Sequence, residues 1–273
     1  MSMKDSVPNR RRIPFAAKLR LAAMALKESG PAWFVLFGTY YLASWIAERA
    51  FVAMENLRRV RGVPGLNSAS LNKAIWEAWD WRGGGSEFGS DAWNKSVIRC
   101  LLEPYLPAGG ATLEIGPGSG RWTEALIDRS GTFVGVDISE ACVKVCSERF
   151  AGRKNASFIL GSGRDLLGIE RETIDALWSF DVFVHVNRSE VEGYAAEFAR
   201  VLRPGGRGAI HHGAVGGGAG GWRSDLTQEV LLALLRANGL QMVTSFAEWQ
   251  DGDARQHLDF QDAFTVFEKP RTA

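Results

Sequence analysis

The most informative stretch of the chain is Ala111–Thr112–Leu113–Glu114–Ile115–Gly116–Pro117–Gly118–Ser119–Gly120–Arg121–Trp122–Thr123. An apolar strand runs into a turn with glycine at every second position, and a helix follows at once. Glycine lets a backbone pass close beneath a ligand, and the first amides of the helix are free to donate to it. The glycines alone say little, since a dinucleotide-binding turn is also glycine-rich, with wider spacing. Glu114, two residues before the first glycine, is more telling. A dinucleotide turn has an apolar strand there, whereas a carboxylate at the strand end suits a ligand with a cationic, donor-bearing end.

Outward from this turn the pattern is regular. Strands are expected near 111–116, 132–137, 156–160, 174–180 and 207–212, and helices near 121–129, 140–150, 187–202 and 224–238. Strands alternating with helices of this length predict βαβ units and a parallel sheet. Two strands close the chain, near 241–246 and 262–267, joined by the polar segment Trp249 to Gln261, which is a poor crossover helix. That pair is expected to be antiparallel. The predicted fold is therefore α/β, a doubly wound, mostly parallel seven-stranded sheet with an N-terminal helical extension. Three segments are expected: a basic tail and helical arm over 1–65, a helical cap over 66–110, and the ligand-binding domain over 111–273.

The extension has its own character. Met1 to Arg61 holds eleven Lys/Arg against four Asp/Glu, and the remaining residues hold 21 against 27. Residues 1–12 read as a disordered basic tail. Ser29 to Ala47 is a run of 19 uncharged residues, close to the roughly 20 of a membrane span. Gly30, Pro31, Thr39 and Ser44 interrupt its apolar character, so burial against the main domain or a second subunit is the first expectation, peripheral membrane contact the second and a true span the third. Gly83–Gly84–Gly85 ends a tryptophan-rich helix around Leu71 to Trp81. Three cysteines without a CxxC or Cys/His cluster argue against disulfides and against a bound metal. No signal-peptide pattern opens the chain, which makes the cytoplasm the expected compartment.

The second strand ends in Asp137, where a carboxylate accepts hydrogen bonds from a ribose diol. With Glu114–Gly116–Gly118–Gly120, Val136–Asp137–Ile138–Ser139, the turn Gly161–Ser162–Gly163–Arg164–Asp165, the strand Asp175 to Phe180 and Leu202–Arg203–Pro204–Gly205–Gly206, the chain resembles class I S-adenosylmethionine-dependent methyltransferases. The likeness runs from about Ala111 to Phe267. It implies S-adenosyl-L-methionine as cofactor and S-adenosyl-L-homocysteine as product. The glycine loop would wrap the methionine moiety, Asp137 the ribose, and Ile138 and the turn of Ser162, Gly163 and Arg164 the adenine, with Phe180 nearby. Family members commonly place an acid at the first polar position of that turn. Here Ser162 takes it, and the amides of Gly163 and Arg164 are left to read the ring.

Ligand sites in open α/β sheets lie outside the strand carboxyl ends. His185, His211 and His212 are all expected there, with Asp181 beside them. An imidazole titrates near neutrality and suits a general base. His185 is the first candidate and His212 the second, while His211 is expected to point to the other side of its strand. His257 reads as surface. The tract Gly213 to Gly221, with six glycines, suits a mobile lid and a floppy insertion equally. Arg223 is a candidate for a substrate carboxylate or phosphate, and Trp81 for covering the bound molecules.

The expected activity is methyl transfer to an oxygen or nitrogen of a small molecule or peptide. An acidic body without a basic groove disfavours nucleic acid. The arm points to a homo-oligomer, and similar arms precede this core in peptide-tailoring methyltransferases of biosynthetic clusters. The competing expectations are a nicotinamide-dependent oxidoreductase and a non-catalytic cofactor-binding scaffold.

Overall fold

The computed structural model describes residues 14–81, 89–218 and 221–271. The basic tail, Gly83–Gly84–Gly85 and residues 219–220 of the glycine-rich tract lie outside the described residues. The chain divides into two compact units, Met1–Val63 and Pro64–Ala273. Residues 66–110, expected as a helical cap leading into the core, belong to the second.

In the first unit, α1 (Phe15–Arg61) is helical apart from Gly30 (φ 78°, ψ 165°), which directly precedes Pro31. Proline disfavours helical geometry in the residue before it, and glycine takes the resulting left-handed backbone without a Cβ clash. Gly62 (φ 63°) closes the helix after Arg58, Arg59 and Arg61, cations placed at the negative end of the helix dipole. Among the described residues, no helix is long and apolar enough to cross a membrane.

In the second unit, α2 (Ala69–Ala78) starts at Ser68, whose hydroxyl accepts from the Leu71 amide. α3 (Asp91–Val97) starts likewise at Ser90, and a π-helical turn (Ile98–Leu102) extends it. The alternating part follows as β1 (Ala111–Ile115), α4 (Thr123–Arg129), β2 (Thr132–Asp137), α5 (Glu140–Arg149), β3 (Ala156–Leu160), β4 (Ile174–Phe183), α6 (Arg188–Val201), β5 (Leu202–Gly213), α7 (Gln228–Ala237) and β6 (Gln241–Phe246). Then come β7 (Glu248–Asp251), β8 (Ala254–His257) and β9 (Asp262–Glu268).

The seven-stranded sheet has the order β3-β2-β1-β4-β5-β9-β6. Its first five strands are parallel, and β9 runs antiparallel to both β5 and β6. β7 and β8 form a separate hairpin inside the segment expected to be an irregular polar loop.

Side chains alternate across a strand, and here both faces are covered. Leu113, Leu177 and Ile210 pack against Val191, Tyr194 and Phe198 of α6 and Leu231 and Leu235 of α7. Phe133, Trp178 and Phe264 pack on the opposite face, with Leu101, Leu126, Ile127 and Phe150. Helices α4 and α6, which follow the adjacent strands β1 and β4, thus sit on opposite faces. The gap this leaves beyond the strand carboxyl ends is where such folds bind ligands.

Candidate active site

A cavity of about 1000 Å³ opens at that gap. Its floor is the turn after β1. Gly116 (φ 70°) and Gly118 (φ 57°) take left-handed backbone, and a Cβ on Gly116 would fall 2.3 Å from the Val182 side chain. At Gly118 it would meet the Trp81 ring at 3.0 Å, so that indole lies against the turn. Gly120 packs beneath, against Phe150.

Asp137 faces the cavity at the end of β2. Its Oδ2 accepts from the Gly118 amide (3.0 Å) and its Oδ1 from Ser139 (2.9 Å), which binds the two turns together. Burial raises the carboxyl to about 6, against the pull of these amides. Ile138 and Gly163 line the wall together, the Ile138 side chain filling the space a Cβ on Gly163 would need.

Glu114 departs from expectation. Ile115 faces the cavity, so Glu114, one residue earlier, faces the core beneath the turn. Thr123 Oγ1 donates to its Oε2 (2.6 Å), and burial pushes the carboxyl up to about 8. It therefore shapes the turn from below and does not line the cavity. Ser162 is also corrected: its side chain is exposed, and its hydroxyl accepts from the amides of Arg164 and Asp165. The Arg164 amide is thereby committed inside its own turn, and its side chain is exposed.

The histidines separate by strand register. His211 reaches the cavity and His212 does not, the reverse of the expected orientation. His212 is fully buried. Its Nδ1 donates to the Gly213 carbonyl and its Nε2 accepts from Thr265 Oγ1, both at 2.8 Å, so neither nitrogen is free for a proton transfer. Burial, with the charge of His211, lowers it to about 4.

His185 lines the cavity beside Trp76. Its Nδ1 donates to the Trp222 carbonyl (2.8 Å), which leaves the lone pair on Nε2. Burial and the nearby Arg223 charge lower it to about 4, so it is neutral at pH 7 and a weak proton acceptor. His257 is exposed on β8.

His211 lies against Phe180 (centroids 4.4 Å) and between two acids. Nδ1 is 3.0 Å from Asp181 Oδ1, and Nε2 is 3.4 Å from Asp262 Oδ2. The Asp181 amide donates to the same nitrogen (3.2 Å) when it is unprotonated, and the carboxylate accepts from it when it is protonated. Burial disfavours the imidazolium, yet the hydrogen bonds and charges of Asp181 and Asp262 outweigh it and hold His211 above its ordinary value. Burial would likewise raise Asp181, but His211, Arg121 and Arg223 hold it below the usual carboxylate range.

Arg121 Nη1 reaches Asp181 Oδ2 at 2.8 Å, with the guanidinium over the Trp122 and Trp93 rings. Arg223 lines the cavity as expected of a substrate contact, but its partner within the chain is Asp262 (Nη2 to Oδ2, 2.8 Å), and Phe260 stacks on it.

Four contributors escaped the sequence reading: Arg121, Asp262 and the pair Asn67 and Asn72. Both asparagines donate from Nδ2 to the His185 carbonyl (3.3 and 2.8 Å), fastening the start of α2 to the end of β4. Asp262 opens a strand that was predicted, opposite Gly213, so the β5–β9 register would have exposed it. The asparagines carry no local signal, because their partner lies over a hundred residues away. Among the described residues, no three His, Cys, Asp or Glu side chains are grouped to hold a metal ion.

Residues 113–210 match the family model described as a methyltransferase domain. Over that stretch the chain is similar to methyltransferase domains. A demethylmenaquinone methyltransferase of Tropheryma whipplei is 28% identical over 149 residues, covering 53% of this chain and 59% of that protein. The chain thus spans less than two thirds of that relative's length. Among solved structures, geranyl diphosphate C-methyltransferase from Streptomyces coelicolor superposes with a TM-score of 0.56 at 13% identity, over 74% of this chain and 97% of that one. A TehB-like methyltransferase from Corynebacterium glutamicum gives 0.52 at 21% identity, over 69% and 94%. At these identities the solved structures speak for the fold.

Proposed function

We propose that the protein transfers a methyl group from S-adenosylmethionine to an oxygen or nitrogen of a small molecule or peptide. The observation that carries this reading is the cradle itself. Two left-handed glycines, an indole lying on the turn, and a buried carboxylate at the end of the second strand converge on one cavity beyond the sheet.

These residues fit a nucleoside cofactor with a cationic amino-acid tail. Asp137 would accept from the ribose hydroxyls, the turn 116–120 would hold the amino-acid part, and Ile138 and Gly163 would flank the base. The cofactor would supply a methyl group on a positively charged sulfur. The chain's own task is then to hold the acceptor in line, exclude water and receive a proton where one is released. The long apolar arm serves assembly into a homo-oligomer.

Calorimetric titration with S-adenosylhomocysteine tests the reading. Micromolar binding by the full chain is expected, with a loss of roughly tenfold or more in Asp137→Ala, where charge-assisted hydrogen bonds are removed. Stabilisation by NADH but not by S-adenosylhomocysteine would sink it.

A further inference from the structure

Five ionisable side chains follow one another along a wall of the cavity: Arg121, Asp181, His211, Asp262 and Arg223. Successive separations are 2.8, 3.0, 3.4 and 2.8 Å. They come from the turn before α4, the bend inside β4, the end of β5, the start of β9 and the segment ahead of α7.

Asp262 stands apart. It is 2% exposed and lines the cavity; its Oδ2 lies 2.8 Å from Arg223 Nη2 and 3.4 Å from His211 Nε2, while Oδ1 has no hydrogen-bond partner among the described residues. Buried carboxylates ordinarily fill their lone pairs with donors. A carboxylate with one oxygen held by two neighbours and the other without a donor on a cavity wall is placed to receive a donor from what enters the cavity. The backbone around it is strained in keeping with such a role. Phe260 (φ 58°), Gln261 (φ 60°) and Asp181 (φ 61°) are non-glycine residues held in the left-handed region, and strain of this kind concentrates at ligand-binding positions.

We propose that Asp262 receives the hydrogen bond, and during transfer the proton, of a hydroxyl group on the methyl acceptor, with His211 and Arg223 as its positioning residues. The inference rests on the methyltransferase reading above. In the step, the bond from the acceptor oxygen to the methyl carbon forms as the carbon–sulfur bond breaks. The electron pair of the broken bond stays on sulfur, and the hydroxyl proton moves to Asp262 and then to solvent. An oxygen gaining a methyl group becomes strongly acidic, so a carboxylate beside it takes its proton as the bond forms.

Charge selects the hydroxyl. Two guanidiniums offset two carboxylates, and the two acids hold His211 above its ordinary value between them. His185 and His212, the other titratable groups that sense Asp262, are both lowered and neutral. A wall whose guanidiniums already match its carboxylates gives an ammonium acceptor no net attraction, and a carboxylate acceptor has no proton to offer Asp262. A hydroxyl donates without bringing charge.

The test uses the full chain saturated with S-adenosylhomocysteine, and phenol, benzylamine and benzoate as probes. Binding is read by saturation-transfer NMR, and transfer of a tritiated methyl group from S-adenosylmethionine is then measured on the same three compounds. Phenol is expected to bind and to be methylated. Asp262→Asn should keep its affinity for S-adenosylhomocysteine, bind phenol more weakly and lose roughly 100-fold or more in kcat, the scale of a removed general base. His211→Gln should shift the pH profile of kcat and leave the KM for phenol nearly unchanged. If Asp262→Asn does not fold, Asp262→Glu carries the test, with reduced kcat and unchanged S-adenosylhomocysteine affinity expected. Three results would overturn the assignment: no phenol binding or methylation by a protein that binds S-adenosylhomocysteine, preference for benzylamine or benzoate, or wild-type turnover in the Asp262 variants. Failure of the wild type to bind S-adenosylhomocysteine would instead remove the methyltransferase reading.

Discussion

Three acids near the cavity differ because their surroundings differ. Glu114 is buried with one hydroxyl donor and is raised to about 8, and Asp137, buried but held by two amides, is raised to about 6. Asp181 has cations on two sides and is lowered. If Asp137 must be ionised to accept from the ribose, S-adenosylhomocysteine should bind about tenfold more weakly at pH 5 than at pH 7.5, one pH unit below this group's value. Asp137→Asn should flatten that dependence in calorimetric titrations. Glu114 acts on stability. Its folded value lies above the unfolded one, so the unfolded state releases the proton first as pH rises. Stability is therefore full below about 4.5 and is lost progressively as pH climbs through 8. Glu114→Gln, which keeps a neutral group there, should raise the urea midpoint at pH 8 and change little at pH 5. His212 works in the opposite direction. With a folded value near 4 against 6.5 unfolded, it costs stability as pH falls through that window, by about 3 kcal/mol at full effect. A His212→Gln variant should be less sensitive to acid over the same range.

Elements were legible where their signals are local. The limits of β2, β3 and β6 fall where apolar alternation places them, and the glycine turn marks the end of β1 in the sequence itself. β5 starts at Leu202, earlier than read, because the Pro204–Gly205–Gly206 stretch looks like a loop while Leu202 already pairs with Ile174. The β7–β8 hairpin was missed although Asp251–Gly252 is a turn dipeptide, because its strands are polar and their anchors lie far away in sequence. Trp249 Nε1 donates to Ser96 Oγ, and Arg99 forks onto Asp251. His211 and His212 could not be told apart from sequence for the same kind of reason. Which one faces the cavity depends on the pleat and on the partner β9, and a slip of one residue exchanges them. The tie between α2 and β4 is testable at its better hydrogen bond. Asn72→Ala leaves a buried side of the His185 carbonyl with less satisfaction, and a loss of about 1–2 kcal/mol in urea unfolding is expected.

At the level of the whole chain, charge and surface divide between the two units. The body beyond Pro64 has its own core on both faces of the sheet and every residue that lines the cavity. The described residues of the arm have neither. Along α1, Trp33 stacks on Phe37 and Phe37 meets Tyr41, a ladder at helical spacing, while Leu36, Tyr40, Leu42, Trp45 and Ile46 are exposed. Single exposed apolar residues are ordinary, but a continuous set along one helix marks a surface that meets a partner. Sequence alone pointed to this arm as a separate piece through its charge, yet nothing local specifies what it meets. A second copy satisfies the apolar surface without any further component. The chain 64–273 is therefore expected to fold, with the circular-dichroism spectrum of an α/β protein, and to bind S-adenosylhomocysteine within about twofold of the full chain, since no cavity residue is removed. Light scattering should find the full chain as an oligomer and the shortened one as a monomer. An oligomer that survives removal of the arm would place the assembly surface on the body instead and leave the apolar ladder of α1 in need of another partner.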